Sequence, residues 1–115
     1  MAKHSPELDH LFMALSDPTR RTVLARLARG AASVGELAAG HDMALPTFMA
    51  HLAKLERAGL IRTEKAGRVR RCELVPGAFA PAESWLDEQR RLWEARLDRL
   101  DDYVMRLVKE THDDP

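Results

Sequence analysis

Residues 33–60, SVGELAAGHDMALPTFMAHLAKLERAGL, decide the fold of this chain. Ser33 and Glu36 have the spacing of a capping box, in which two side chains reciprocally satisfy open backbone N–H groups at a helix start. A short helix follows and stops near Gly40. The polar break His41-Asp42 leads to a second start around Ala44-Leu45-Pro46, where proline is tolerated because first-turn N–H groups have no intrahelical partner. Phe48, Leu52 and Leu55 recur at helical spacing, and Gly59 supplies a C-terminal stop. Short helix, turn, longer helix is the helix-turn-helix pattern, whose second helix enters the DNA major groove.

Working outward from this stretch, the period changes at Leu60. Leu60 to Glu64 and Val69 to Val75 read as two strands joined by Lys65-Ala66-Gly67-Arg68, with Gly67 supplying the positive φ of a tight hairpin. Cys72 and Leu74 share one face of the second strand; Arg71 and Glu73 share the other. A basic hairpin directly after a helix-turn-helix is a wing. Upstream, Ser5-Pro6-Glu7 opens a short helix carrying Leu8, Leu11, Phe12 and Leu15, and Asp17-Pro18 opens another carrying Val23, Leu24 and Leu27. Arg20 and Arg21 are read as solvated surface or phosphate contacts. Downstream, Pro76-Gly77 ends the hairpin and a long helix spans 81–109. In it Leu86, Trp93, Leu100 and Leu107 recur every seven residues, with Leu97 and Val104 between them, as in a coiled-coil seam. Arg90 interrupts the seam. Trp85, Leu92 and Tyr103 widen the apolar surface. Thr111 to Pro115 read as an acidic tail, and Met1 to His4 as a frayed end.

The fold class expected is therefore mainly α with a small β-hairpin, in the order α-α-α-α-β-β-α. One domain spans 1–115, with a DNA-binding core at 7–75 and a dimerisation helix at 81–109. A chain of 115 residues, 45% hydrophobic, buries a small core and gains from a partner subunit. The expected dimer interface comprises Leu8, Leu11 and Phe12 of the first helix with Trp85, Leu86, Trp93, Leu97, Leu100, Val104 and Leu107 of the last. No signal peptide, membrane span or cysteine pair is read from the residues, so a cytoplasmic protein with no membrane partner is expected.

The formal net charge is zero, but it is unevenly spread. Residues 44–75 carry seven Lys and Arg against three Glu, while residues 81–115 carry six basic against ten acidic groups. The basic segment adjoins the second helix of the motif, as a surface facing double-stranded DNA requires. On that helix Phe48, Leu52 and Leu55 face inward. Leu45, Pro46, Thr47, Met49, Ala50 and Lys54 face the groove, with His51 at the boundary as a base contact or a satisfied core-edge histidine. This set is poor in donors and acceptors, so specificity is expected from thymine-methyl contacts, shape and deformability. Phosphate contacts are expected from Lys54, Arg57, Arg62, Lys65, Arg68 and Arg70, Arg68 foremost at the wing tip.

His4, His10, His41, His51 and His112 form no ligand motif and Cys72 stands alone, so no metal or other cofactor is expected. A site shared between subunits through His10 and His112, or a redox response at Cys72, is the alternative. Glycine-rich phosphate loops and hydrolase or metalloprotease motifs are absent, which argues against an enzyme. A winged-helix protein-interaction module without DNA readout is the alternative from another class. The residues specify no small-molecule effector.

The segments LSDPTRRTVLARLARG, SVGELA, LPTFMAHLAKLERAGLI and AGRVRRCEL, together covering about residues 8–75, resemble the ArsR/SmtB family of winged helix-turn-helix bacterial repressors. The last helix, WLDEQRRLWEARLDRLDDYV, is similar to that of a subgroup without metal ligands. The resemblance implies a homodimer, joined through its first and last helices, that binds an inverted repeat and represses transcription until a signal releases it. Two departures stand out. GELAAGHD and the last helix lack the cysteine, aspartate and histidine patterns of the family's metal sensors. Ala44 stands where the family commonly caps the recognition helix with serine, and Asp42 is a candidate substitute.

Overall fold

The computed structural model describes residues 5–112, apart from the side chain of His112. The elements are α1 (Pro6–Leu15), α2 (Pro18–Leu27), β1 (Ala32–Ser33), α3 (Val34–Ala39), α4 (Leu45–Arg57), β2 (Ile61–Ala66), β3 (Val69–Leu74) and α5 (Ala80–His112). The expected order is present, with one strand added.

Local chemistry places the helix ends. Ser5 Oγ accepts the N–H of Leu8 at 3.2 Å, and the Asp17 carboxylate accepts that of Arg20 at 3.1 Å. Pro6 and Pro18 follow these caps, at positions that need no donor. The capping box of α3 is complete. Ser33 Oγ accepts from Glu36 N–H at 3.0 Å, and the Glu36 carboxylate accepts from Ser33 N–H at 3.3 Å. α4 begins at Ala44 without any side-chain cap, so Asp42 does not take that role. Its other end is a Schellman motif: Leu60 N–H reaches Leu55 carbonyl at 3.1 Å and Gly59 N–H reaches Glu56 carbonyl at 3.0 Å. Gly59 sits at φ +75°, where a Cβ is penalised. Leu55 and Leu60, the two ends of the longer bond, are both fully buried.

These ends aim one apolar stripe of each helix inward. Leu11 and Ala14 from α1, Val23, Leu24 and Leu27 from α2, Leu37 from α3, and Phe48, Leu52 and Leu55 from α4 enclose one core with Leu60, Ile61 and Cys72. Each large side chain so buried contributes roughly 1.5–3 kcal/mol through area removed from water. Leu11, expected at the subunit interface, is 1% exposed and belongs to this core. Its stripe position relative to Ala14 turns it toward α2 and α4, so it has no surface to offer a partner. Leu8 and Phe12 of the same helix are half-buried.

The sheet is antiparallel in the order β1-β3-β2. The two-residue β1 pairs Ala32 with Cys72 and Ser33 with Arg71. Ser33 thus ends a strand and caps α3 at once, and ties the base of the wing to the first helix of the motif. The hairpin strands run further than expected: Lys65 and Ala66 belong to β2, leaving Gly67-Arg68 as a two-residue loop. Gly67 has φ +66° and among the described residues no non-glycine has positive φ, the dihedral pattern of a II′ turn with glycine first.

The chain divides into a compact unit up to Ala82 and a second from Glu83 onward. α5 is longer than the expected 81–109. Thr111 and His112 are helical, not tail, and 33 residues at 1.5 Å each make a rod of about 50 Å. Met1 to His4 and Asp113 to Pro115, expected to be loose ends, lie outside the described residues.

Candidate nucleic-acid interface

α4 projects two faces. Phe48, Leu52 and Leu55 are buried, while Leu45, Pro46, Thr47, Ala50, Lys54 and Arg57 are exposed. Leu45, a large apolar side chain, is 57% exposed at the start of the helix. Met49 is half-buried and lines a groove of about 420 Å³ with Ser33 to Gly35 of α3 and Arg68 to Arg70 of the wing. The wing tip and the recognition helix thus border one concave surface, and Arg68 and Arg70 stand on its rim.

Strand register separates the wing cations. Cross-strand partners share a face, so Lys65 and Arg70 lie together, on the side of the sheet that carries Thr63 and Cys72 toward the core. Arg62 and Glu73 form the next pair along, on the opposite face, with Arg62 Nε 2.6 Å from Glu73 Oε1. Glu64 and Arg71 share that face. Arg62 is therefore committed to a carboxylate. The side chains of Lys54, Arg57, Lys65, Arg68 and Arg70 make no hydrogen bond or ion pair among the described residues.

Arg20 is neither solvated surface nor a phosphate contact. It is 5% exposed, the buried charged residue of the described core. Its Nε donates to Ala14 carbonyl at 2.8 Å and its Nη2 to Met13 carbonyl at 2.9 Å. Both acceptors lie in the last turn of α1, where carbonyls lack intrahelical donors and positive charge is favoured. Arg21 joins in, with Nη1 2.7 Å from Leu15 carbonyl. The third arm of Arg20, Nη1, lies 3.0 Å from His51 Nδ1 on α4. A signal for this existed in the sequence. Arg20 is three, four and seven residues before Val23, Leu24 and Leu27, on the buried stripe of α2. Charge alone suggested an outward direction.

Asp17 stands beside this cluster, with a carboxylate oxygen 3.8 Å from His51 Nδ1. Burial raises its affinity for a proton, but the backbone N–H of Arg20, the charge His51 carries when its ring is protonated, the N–H of Thr19 and the charge of Arg20 together hold its carboxyl below the usual value. Glu36 is also held low, first by the backbone N–H and hydroxyl of Ser33, which outweigh burial, and then by the lesser charge effects of Arg26 and Arg71. Burial, aided by Glu56 and opposed by Arg70, pushes the Cys72 thiol up, away from the reactive thiolate.

Among the described residues no three His, Cys, Asp or Glu side chains converge as metal ligands. His4 and the side chain of His112 lie outside the described residues, so the His10–His112 alternative does too. Among the same residues no helix is long and apolar enough to cross a membrane.

α5 carries its apolar residues in the open. Leu86, Trp93, Leu97, Leu100, Val104 and Leu107 are 44–58% exposed, and Trp85, Leu92, Tyr103, Met105 and Val108 flank them. Arg90, which interrupts the seam, is held by Asp87 and Glu94 one turn to either side. Arg96 lies over the Trp93 ring at 5.6 Å.

A helix-turn-helix whose wing is pinned to the first motif helix, with free cations at the rim of the recognition helix, defines a winged helix-turn-helix DNA-binding protein. The comparisons agree. A family model described as a helix-turn-helix domain matches residues 15–64. The HTH-type transcriptional regulator Rv2034 of Mycobacterium tuberculosis is 37% identical over 89 residues, covering 77% of this chain and 80% of that protein. The crystal structure of the ArsR family transcriptional regulator RHA00566 superposes with TM-score 0.74 at 56% identity, covering 76% of this chain and 97% of that one. The homodimeric winged helix-turn-helix DNA-binding domain Mb0332 of Mycobacterium bovis superposes with TM-score 0.58 at 26% identity, over 77% and 93% of the two chains. The chain belongs to the ArsR family and is a DNA-binding transcriptional regulator.

Proposed function

We propose that two copies of this chain bind an inverted-repeat operator and repress transcription by occluding a promoter. Leu45, Pro46, Thr47, Met49, Ala50 and His51 face the major groove, while Lys54, Arg57, Lys65, Arg68 and Arg70 hold the phosphates. The observation that carries this reading is the joint surface of α4 and wing, where Met49 and Arg68 to Arg70 line one groove. Arg62 is a lesser phosphate contact, because Glu73 already neutralises it. The donor-poor face of α4 favours readout by thymine methyls and duplex shape.

The dimer is formed through α5, together with Leu8 and Phe12 of α1. The supporting observation is the seam from Leu86 to Leu107, exposed along its whole length in a single chain. A surface of that kind is too apolar to stay in water at no cost. Two-fold symmetry then places the recognition helices about 34 Å apart, in successive major grooves. The protein works in the cytoplasm by binding alone, without cofactor or catalytic step.

Selection of bound duplexes from a random pool by the purified protein, with metal chelated, tests the proposal. Enrichment of an inverted repeat with half-sites one helical turn apart is expected. Enrichment that appears only after zinc is restored would mean a metal-dependent regulator. No enrichment in either condition would assign the fold to protein interaction. A reporter placed behind the recovered site should fall on expression of the protein; a rise would make it an activator.

A further inference from the structure

Arg20 restricts the recognition helix in a way that reaches its outer face. A guanidinium offers donors only. At 3.0 Å from Arg20 Nη1, His51 Nδ1 must therefore be the acceptor, and the proton of the neutral ring sits on Nε2. Arg20 has no freedom to release this hold, since its other nitrogens are spent on the carbonyls of Met13 and Ala14 and the side chain is buried. The Asp17 carboxylate, at 3.8 Å from the same Nδ1, is beyond hydrogen-bond reach. A proton on Nδ1 would point at the N–H of Arg20 with the Asp17 carboxylate out of reach, so the shorter contact decides the ring state.

The other ring nitrogen faces outward. Among the described residues no side-chain nitrogen or oxygen is both buried and without a partner, and none of them pairs with Nε2. It therefore reaches solvent, with the side chain 16% exposed overall. Thr47, His51 and Lys54 fall at i, i+4 and i+7 on α4, one stripe of the helix. Thr47 and Lys54 are exposed, so Nε2–H opens onto the same stripe as these two polar groups.

We propose that Arg20 is a positioning residue for DNA recognition, which locks His51 as an Nε2–H donor toward an acceptor atom on the DNA against α4. This rests on the DNA-binding reading above. The acceptor is a phosphate oxygen or a base-edge nitrogen or oxygen, which share the same chemistry. One ring thus serves two purposes: Nδ1 fastens α4 to α2 and, through Arg20, to the end of α1, while Nε2 addresses the duplex.

Asparagine and glutamine separate the two nitrogens, because their amides fall near the places of Nδ1 and Nε2 respectively. Operator affinity and melting temperature are measured for the full-length wild type, His51→Asn and His51→Gln, using the duplex recovered by selection. His51→Asn keeps an acceptor for Arg20 and should melt like wild type while binding about tenfold more weakly, the scale of one lost hydrogen bond. His51→Gln should melt lower and keep more of the affinity. An equal loss on operator and random duplex identifies a phosphate acceptor; a loss confined to the operator identifies a base. Nitrogen NMR of the free protein, at a pH where the ring is neutral, should show the Nε2–H form in wild type, with the Nδ1–H form appearing in Arg20→Met, which removes the donor. Wild-type affinity in His51→Asn overturns the donor role, and a ring unchanged in Arg20→Met, or an Nδ1–H ring in wild type, overturns the role of Arg20. A wild type that binds no duplex overturns the DNA-binding reading instead, while the ring state is still read.

Discussion

Removing the wing cations should change how binding depends on salt, by an amount the structure sets. Lys54, Arg57, Lys65, Arg68 and Arg70 are exposed and have no acidic partner among the described residues. A dimer brings two copies of each. If all reach phosphates, log affinity falls against log salt with a slope of about −9, at about 0.9 for each contact. Arg68→Ala with Arg70→Ala removes two contacts per subunit and should bring the slope to about −5.4. Neither side chain packs in the core, so melting should change little. The assay is fluorescence anisotropy with a labelled operator from 50 to 200 mM salt. Across that range wild type should weaken by about 10⁵ and the double variant by about 10³, so the two curves converge as salt rises. Arg62→Ala serves as the internal comparison. Its guanidinium is already paired with Glu73, so it should move the slope by less than either wing-tip change. A double variant within about one unit of the wild-type slope would remove the wing from the DNA surface. A larger effect at Arg62 than at Arg68 would mean the opposite face of the hairpin meets the duplex.

Three further outcomes are expected. Leu97→Glu puts a charge in the middle of the exposed seam without touching the core, so sedimentation should show monomers, and operator binding should fall with the loss of paired half-sites. A variant that stays dimeric would move the interface elsewhere. Asp17 and Glu36 have lowered proton affinity in the folded chain. Their contribution to stability is therefore complete above the ordinary carboxylate values of 3.8 and 4.5, and is lost as pH falls through the lowered ones. Asp17→Asn should flatten the acid side of a plot of urea midpoint against pH, and an unchanged profile would refute the assignment. Cys72 is buried and its thiol is pushed away from ionisation. Labelling by a thiol reagent should therefore proceed at the rate of unfolding, and rapid labelling of the native protein would contradict its place under the wing.

The elements most legible in the sequence are those made by neighbours along the chain. The caps at Ser5, Asp17 and Ser33, the prolines behind the first two, and the stops at Gly40 and Gly59 act across three to six residues, so the residue order displays them. Strand alternation likewise put Cys72 on one face with Leu74, apart from Arg71 and Glu73, before any partner strand was known. Ala44 marks the limit of that reading. Asp42 was a plausible cap by spacing, yet α4 starts without one, and packing of Phe48, Leu52 and Leu55 supports the helix instead.

The candidate site was legible in composition and less so in direction. The basic segment and the recognition helix were visible as a cluster, but hairpin register placed Arg62 against Glu73 and away from Lys65 and Arg70. The two-residue β1 has no period to detect and exists because β3 offers it an edge. Leu11 belongs to a stripe that could have faced either its own chain or a partner, and contact with α2 and α4 decided for the core. Arg20 is the sharpest case. Its spacing marked it as inward, and its charge argued otherwise. Only the carbonyls at the end of α1 and Nδ1 of His51, six to 31 residues away, make its burial affordable. By itself the sequence determined which segments become helices, hairpin and seam, because capping, turn chemistry and periodicity act locally. Tertiary structure decided which side chains are spent holding those segments together and which are left for DNA, because desolvating a charge depends on partners brought from distant parts of the chain.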